Sequence, residues 1–186
     1  MDSKLQIISG VYRGRKLRLP PNARPTQNRA RIALFNMLES GIVDAGADMV
    51  VWDAFGGSGA FGIECLSRYA GVNVVFTDIA PTSVKTVRDN LATLNVGARA
   101  TVTQVDAISV AQKYAPVADL IFIDAPYDMH ELGVALIEKI GALAKSGAIV
   151  IWEQESINPY QPDESKWQIL RDKTYGRARF LIMQKI

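Results

Sequence analysis

Two groups of residues in this 186-residue chain have the types and spacing for chemistry. The first is Asp53-Ala-Phe-Gly-Gly57-Ser-Gly59-Ala-Phe-Gly62, a G-x-G-x-x-G pattern between an apolar run and a helical one. Glycines at such a turn let the backbone bend sharply and approach a ligand closely. Asp78 closes the next apolar run, where a carboxylate can accept both hydroxyls of a ribose. Two ligand classes fit. A dinucleotide such as NAD brings a pyrophosphate, which a carboxylate just upstream of the turn disfavours. S-adenosylmethionine brings a sulfonium and an ammonium, which Asp53 complements, and Asp106 after the third run can accept the adenine amine. The carboxylates favour S-adenosylmethionine, with Phe55, Gly57, Ser58, Gly59, Ile79 and Ala107 counted with Asp53, Asp78 and Asp106 as its contacts.

The second group is Asp124-Ala125-Pro126-Tyr127. A nucleobase amine is a poor nucleophile because its lone pair is delocalised into the ring. It must pyramidalise to attack a methyl group, and acceptors for its hydrogens favour that change. Asp124 and a backbone carbonyl are such acceptors. Pro126 fixes the turn so that they converge, and Tyr127 offers a ring for stacking an extruded base, worth about 1–3 kcal/mol. An approach in line with the sulfonium then completes the geometry.

These residues need elements to hold them. The runs 49–55, 72–78, 100–106, 118–124 and 147–153 read as buried strands separated by segments of helical length, and four of them carry Asp53, Asp78, Asp106 and Asp124 near their ends. Alternation of this kind predicts a parallel sheet covered on both faces by helices, with ligands at the carboxyl ends of the strands. The runs 167–175 and 177–185 meet at Gly176 with no helix between them, which predicts a closing antiparallel hairpin. Residues 5–20 read as an N-terminal hairpin with Leu17 and Leu19 on one face and Lys16 and Arg18 on the other. Thr26 is placed to cap a helix carrying Leu34, Phe35 and Leu38.

Charge is divided along the chain although its formal sum is +2. Residues 1–31 hold eight basic side chains and one acidic, residues 166–186 six and one, and the centre is strongly acidic. Arg29 and Arg31 lie in the first turns of the predicted helix, where the dipole disfavours cations, so an anionic partner is a reason for them. Arg13, Arg15, Lys16, Arg18, Arg24, Thr26, Arg29 and Arg31 make up the segment that such a partner would meet. A single Cys65 excludes an internal disulfide scaffold and is assigned to the core. No Cys/His cluster offers metal-ligand spacing, and no apolar run spans a bilayer. The expectations are a cytoplasmic protein without metal or membrane anchorage, monomeric and folded as one domain (1–186), with a docking extension at 1–40 and an α/β core at 49–186. His130 reads as a surface helix residue, and Trp52, Trp152 and Trp167 as packing residues.

Taken in order, Ile7-Ile-Ser-Gly, Arg13-Gly-Arg-Lys-Leu17, Arg24-Pro-Thr-Gln-Asn-Arg-Ala-Arg31 with Leu34-Phe-Asn36, the Asp53 glycine loop, Asp124-Ala-Pro-Tyr127 and Tyr175-Gly176 resemble the RsmD family. Its members are bacterial methyltransferases that act on the exocyclic N2 of a guanine in 16S ribosomal RNA. The resemblance implies a Rossmann-like class I methyltransferase fold with a mostly parallel seven-stranded sheet, its last strand antiparallel. It implies S-adenosylmethionine at Asp53, Gly57 and Gly59, Asp78 and Asp106, guanine at Asp124 to Tyr127, RNA docked on the basic N-terminal set from Arg13 to Arg31, and the small ribosomal subunit as partner. Two features depart from the family. Ala125 stands where a first proline is usual, and Asn28 and Ile32 stand where Asp and Glu are common. Three other readings remain beside it: an RNA-binding module that holds the cofactor without turnover, an amine methyltransferase acting on another nucleic acid or on a protein, and an NAD-dependent oxidoreductase.

Overall fold

In the computed structural model, the described residues are 5–21, 28–44, 48–157 and 159–186. Seven strands form one sheet: β1 (Met49–Asp53), β2 (Val72–Asp78), β3 (Ala100–Gln104), β4 (Leu120–Ile123), β5 (Ile149–Glu155), β6 (Trp167–Tyr175) and β7 (Ala178–Lys185). Their order is β3-β2-β1-β4-β5-β7-β6. β1 to β5 are mutually parallel, while β7 runs antiparallel to both β5 and β6. The order reverses at β1, whose two neighbours are β2 and β4, and a crevice opens beyond the strand ends at such a switch point.

Among the described residues five α-helices cover the sheet: α1 (Asn28–Glu39), α2 (Ala60–Arg68), α3 (Pro81–Ala92), α4 (Ala107–Tyr114) and α5 (His130–Leu143). The central strand β4, Leu-Ile-Phe-Ile, is buried along its whole length because both faces are covered. On one face Val51, Phe76, Phe122 and Phe180 pack with Leu34, Phe35 and Leu38 of α1 and with α2 and α3. On the other, Trp52, Ile121, Ile123 and Trp152 pack with Leu136, Ile137 and Ile140 of α5 and with α4. Gly133 permits that packing, since a Cβ there would stand 2.4 Å from the Trp152 ring. Trp52, Trp152 and Trp167 are all buried packing residues, as expected from their runs, and Cys65 is buried as well.

The N-terminal segment departs from the two-stranded hairpin its pattern predicts. Its pairing is a single bridge between Gln6 and Lys16, flanked by bonds from Ile7 N to Arg15 O and from Leu17 N to Leu5 O, both 2.9 Å. The reason is competition for backbone donors. Ile8 N and Ser9 N donate to the carboxylate of Glu64 on α2, and Val11 N and Tyr12 N donate to Ser67 O and Oγ. Gly10 lies so near α2 that a Cβ would meet Ser67 O at 1.9 Å. Farther along, Arg18 N donates to Asn90 Oδ1 of α3, and Asn90 Nδ2 returns bonds to Arg18 O and Ser58 O. Leu5, Ile7 and Leu17 are buried in the same apolar cluster as α1, α2 and α3, worth about 1.5–3 kcal/mol for each such side chain.

The C-terminal pair β6–β7 turns at Gly176 (φ 62°), the antiparallel hairpin predicted from the tail. It leaves β6 as an exposed edge strand with a register shift between Ile169 and Arg171. No helix of the described residues is long and apolar enough to cross a membrane.

Candidate active site

The strand ends and the N-terminal segment together enclose a cleft of about 710 Å³, a volume in the range that holds a nucleoside-sized ligand. One side consists of the sheet and its loops: Asp53, Phe55, Gly57, Ser58, Asp78, Ile79, Asp106, Ala107, Asp124 and Pro126 all line it. Nearly the whole set expected from the sequence is therefore gathered in one place. Gly59 serves from beneath, as the N-cap of α2 in the left-handed region (φ 76°), where only glycine is at ease. Gly62 lets α2 close on β2, because a Cβ would stand 2.4 Å from the Phe76 ring.

The carboxylates have distinct attachments. Asp53, 1% exposed, accepts Gly62 N at 3.1 Å, which ties the strand end to the helix that follows. Burial pushes its carboxyl well above the usual range, and the charges of Asp124 and Asp78 push in the same direction. Asp78 accepts Gly57 N and Ala80 N, one on each oxygen at 2.8 Å, and so holds the glycine loop against β2. Asp106 caps α4 through Ser109 N at 2.8 Å while lining the cleft. Asp124, just past β4, is pushed up to about 7 by burial. These four carboxyl groups at one crevice suit a cationic ligand better than a phosphate.

The turn from Asp124 to Tyr127 is closed with Ala125 in it. That residue is buried, and Met129 N donates to Pro126 O at 2.8 Å, closing the turn. Tyr127 does not take the stacking position expected from the sequence. It is half-buried and absent from the cleft wall, and its hydroxyl points at Glu153 Oε1, 3.5 Å away. Burial and the Glu153 charge hold its phenol protonated. Ring position after a proline turn depends on which neighbours are buried beside it, and here that neighbour is Glu153, on a different strand.

The other side of the cleft belongs to the N-terminal segment and α1, with Leu5, Leu19, Pro20, Pro21, Arg31 and Leu34 as its wall. Here the expected RNA set divides. Arg13, Arg15, Lys16, Arg18 and Arg29 are exposed, and Arg18 pairs with Asp89 at 3.5 Å. Arg24 and Thr26 lie outside the described residues. Arg31 is a correction: it is 3% exposed, and its Nη2 donates to Gln6 O and to Asn28 Oδ1. Helical phase decides this, since Arg31 lies on the stripe of Leu34, Phe35 and Leu38 that faces the core. Asn28 thus receives Arg31 where a carboxylate is usual, whereas Ile32 is 40% exposed and stands away from the cleft wall.

Sequence reasoning misses Glu64, Asn90 and Glu153. Glu64 is fully buried and holds Ile8 N, Ser9 N and Arg68 Nε at 2.8–2.9 Å. Nothing in its helical surroundings signals a long-range partner. Glu153 does have a signal, since the run 147–153 ends on it as the other four end near Asp. His130 starts α5 and stacks on Trp152 with ring centroids 5.1 Å apart, so it is more enclosed than a surface helix residue. Among the described residues no group of three or more His, Cys, Asp or Glu side chains is arranged to hold a metal ion.

Comparison with known proteins agrees with this geometry. The family model for conserved hypothetical protein 95 matches residues 5–184. The chain is 38% identical to ribosomal RNA small subunit methyltransferase D of Escherichia coli, over 99% of its length and 91% of that protein. It is 30% identical to the protein of the same name in Haemophilus influenzae, over 97% and 94%. Among solved structures, yhhF of Escherichia coli superposes with a TM-score of 0.82 at 30% identity, covering 97% of both chains. A switch-point crevice lined by strand-end carboxylates, matched over nearly its full length by ribosomal RNA methyltransferases, means that the chain belongs to the conserved hypothetical protein 95 family, that of the RsmD methyltransferases.

Proposed function

We propose that this protein transfers a methyl group from S-adenosylmethionine to the exocyclic N2 amine of a guanine in 16S ribosomal RNA. The observation that carries the reading is Asp124, half-buried at the turn after β4 and facing a cleft already crowded with Asp53 and Asp78. When bound, S-adenosylmethionine supplies an electrophilic methyl on a sulfonium. Asp53 faces the positive end of such a ligand, Asp78 the ribose and Asp106 with Ile79 the adenine. Asp124 accepts one hydrogen of the guanine amine, and a carbonyl of the Ala125-Pro126 turn accepts the other. These two acceptors draw the amine out of conjugation and hold its lone pair toward the methyl group. As the bond from nitrogen to the methyl group forms, its bond to sulfur breaks, leaving S-adenosylhomocysteine, and the amine proton passes to Asp124 or to water.

The exposed cations Arg13, Arg15, Lys16, Arg18 and Arg29 lie on the same N-terminal elements that wall the cleft. They support docking of a phosphate backbone beside the site. An NAD-dependent reaction is disfavoured because its pyrophosphate would meet the Asp53, Asp78 and Asp124 charges. Radiolabelled methyl transfer to small subunits that lack the modification, followed by nucleoside analysis, tests the proposal. N2-methylguanine above background is the expected product, and its absence would refute the reading.

A further inference from the structure

Glu153 has no part in the steps above, yet it lies at their centre. It is on β5, 3% exposed, and lines the cleft. Strand register sets it beside the catalytic turn: Ile123 of β4 pairs with Trp152 of β5, so the following residues, Asp124 and Glu153, lie side by side at the strand ends. Tyr127 directs its hydroxyl at one Glu153 oxygen. Arg31 stands on the opposite wall of the same cleft, and Glu153 is among the charges that act on it. Two acids and a protonated phenol gathered where β4 and β5 meet the turn after β4 is a costly arrangement for a mere core.

The edge of guanine that carries N2 presents its hydrogens in a row, one on N1 and two on the amine. Adenine offers no N–H at N1, and cytosine has a ring acceptor beside its amine. An acceptor for N1–H beside the acceptor for N2–H therefore distinguishes guanine from the other amino bases. We infer that Glu153 is the specificity-determining residue of the site, accepting guanine N1–H while Asp124 accepts N2–H, with Arg31 as the nearby cation that balances the added carboxylate. This inference rests on the guanine reading proposed above and extends it from the reacting amine to the choice of base. A carboxylate has lone pairs enough to take N1–H while Tyr127 remains on it.

The test compares guanine with 2-aminopurine, which keeps the reactive amine but carries a bare ring nitrogen at N1. Each is placed at the mapped target position of an RNA oligonucleotide. Wild-type protein is expected to prefer guanine in kcat/KM by about a hundredfold or more, since a site built to receive an N–H rejects the analogue lacking it. In Glu153→Gln the amide can either accept from N1–H or donate to a bare N1. The preference should therefore shrink at least about tenfold, while affinity for S-adenosylmethionine and melting temperature stay near wild type. Equal losses on both bases, leaving the ratio unchanged, would reduce Glu153 to a structural role and overturn the inference. Equal rates of the wild-type protein on the two bases would overturn it whatever the variant does. Absence of transfer to guanine by the wild type refutes the methylation reading as well, whereas transfer with an unchanged ratio refutes Glu153 alone.

Discussion

The two sides of the cleft are built on different principles. The sheet side is assembled from strand ends, and its residues Asp53, Asp78, Asp106 and Asp124 arrive together because parallel strands end at one edge. Among the described residues, the N-terminal side has little regular structure beyond α1 and a single bridge, and it is held by side chains that reach across the chain: Glu64, Ser67 and Asn90 to backbone groups of residues 8–18. The lesson is that a chemical site can be half topology and half anchoring. Damage should therefore show different signatures on the two sides, chemistry on one and shape or docking on the other.

The sharpest separation is expected from Asp124→Ala. Methyl transfer should fall about a thousandfold or more, as when a preorganised polar group facing the reacting atoms is removed, with cofactor affinity nearly unchanged by calorimetry. Collapse of both together would mean that Asp124 holds the cofactor rather than the base. On the opposite side, Glu64→Ala leaves Ile8 N and Ser9 N without their acceptor. A stability loss of about 2–4 kcal/mol in urea unfolding is expected for such a buried charged acceptor, along with weakened RNA binding. An unchanged midpoint would break the anchoring account.

A third effect follows from the raised carboxyl of Asp124, about 7 against an ordinary 3.8. The ionised form is the stronger acceptor for an amine hydrogen and alone can take up the proton, so kcat/KM for RNA should rise with pH and level off above about 7. The rise should vanish from the residual activity of Asp124→Asn. Stability runs the opposite way. Between 3.8 and about 7 the folded state binds more protons than the unfolded state, so this group's contribution is full below 3.8 and is lost as pH rises through about 7. Asp124→Asn should therefore raise the melting temperature at about pH 8 and leave it unchanged at about pH 4, as read by thermal scans at the two values.

The smaller effects concern the two basic ends. Changing Arg13, Arg15 and Lys16 together to Ala should lower the slope of log affinity against log salt by about one unit for each phosphate left without its cation. A slope equal to wild type would remove this surface from RNA docking. The C-terminal cations are differently engaged. Arg179 is buried and forms a bidentate pair with Asp172 at 2.7 and 2.6 Å, and Arg177 pairs with Glu155. Arg177→Ala is expected to leave the salt slope as it was, the smallest change of the series. The two positive ends thus differ, because Arg177 and Arg179 each pair with a carboxylate within the fold.

Much of the sheet side was legible in the amino-acid order. Glycines at fixed spacing and acids at the ends of apolar runs are local signals, and local signals survive translation into a parallel sheet because its period is regular. The antiparallel tail was legible for the same reason, since Trp167 to Tyr175 and Ala178 to Lys185 are too close to admit a helix. Arg31 defeats the sequence reading because cationic character and helical phase point in opposite directions, and phase prevailed. Tyr127 defeats it because a ring beside a proline can turn toward either neighbour, and a carboxylate on the next strand attracted its hydroxyl.

By itself, the order of residues determined the alternating α/β plan, the glycine loop, the four strand-end aspartates and the Asp-Ala-Pro-Tyr turn, since each is encoded within a short stretch of neighbours. Only the tertiary structure decided that the N-terminal segment walls the cleft, that Arg31 is enclosed and that Glu153 stands beside Asp124. Those facts depend on contacts between residues tens of positions apart, such as Ser9 with Glu64 and Arg18 with Asn90, which no local pattern can specify.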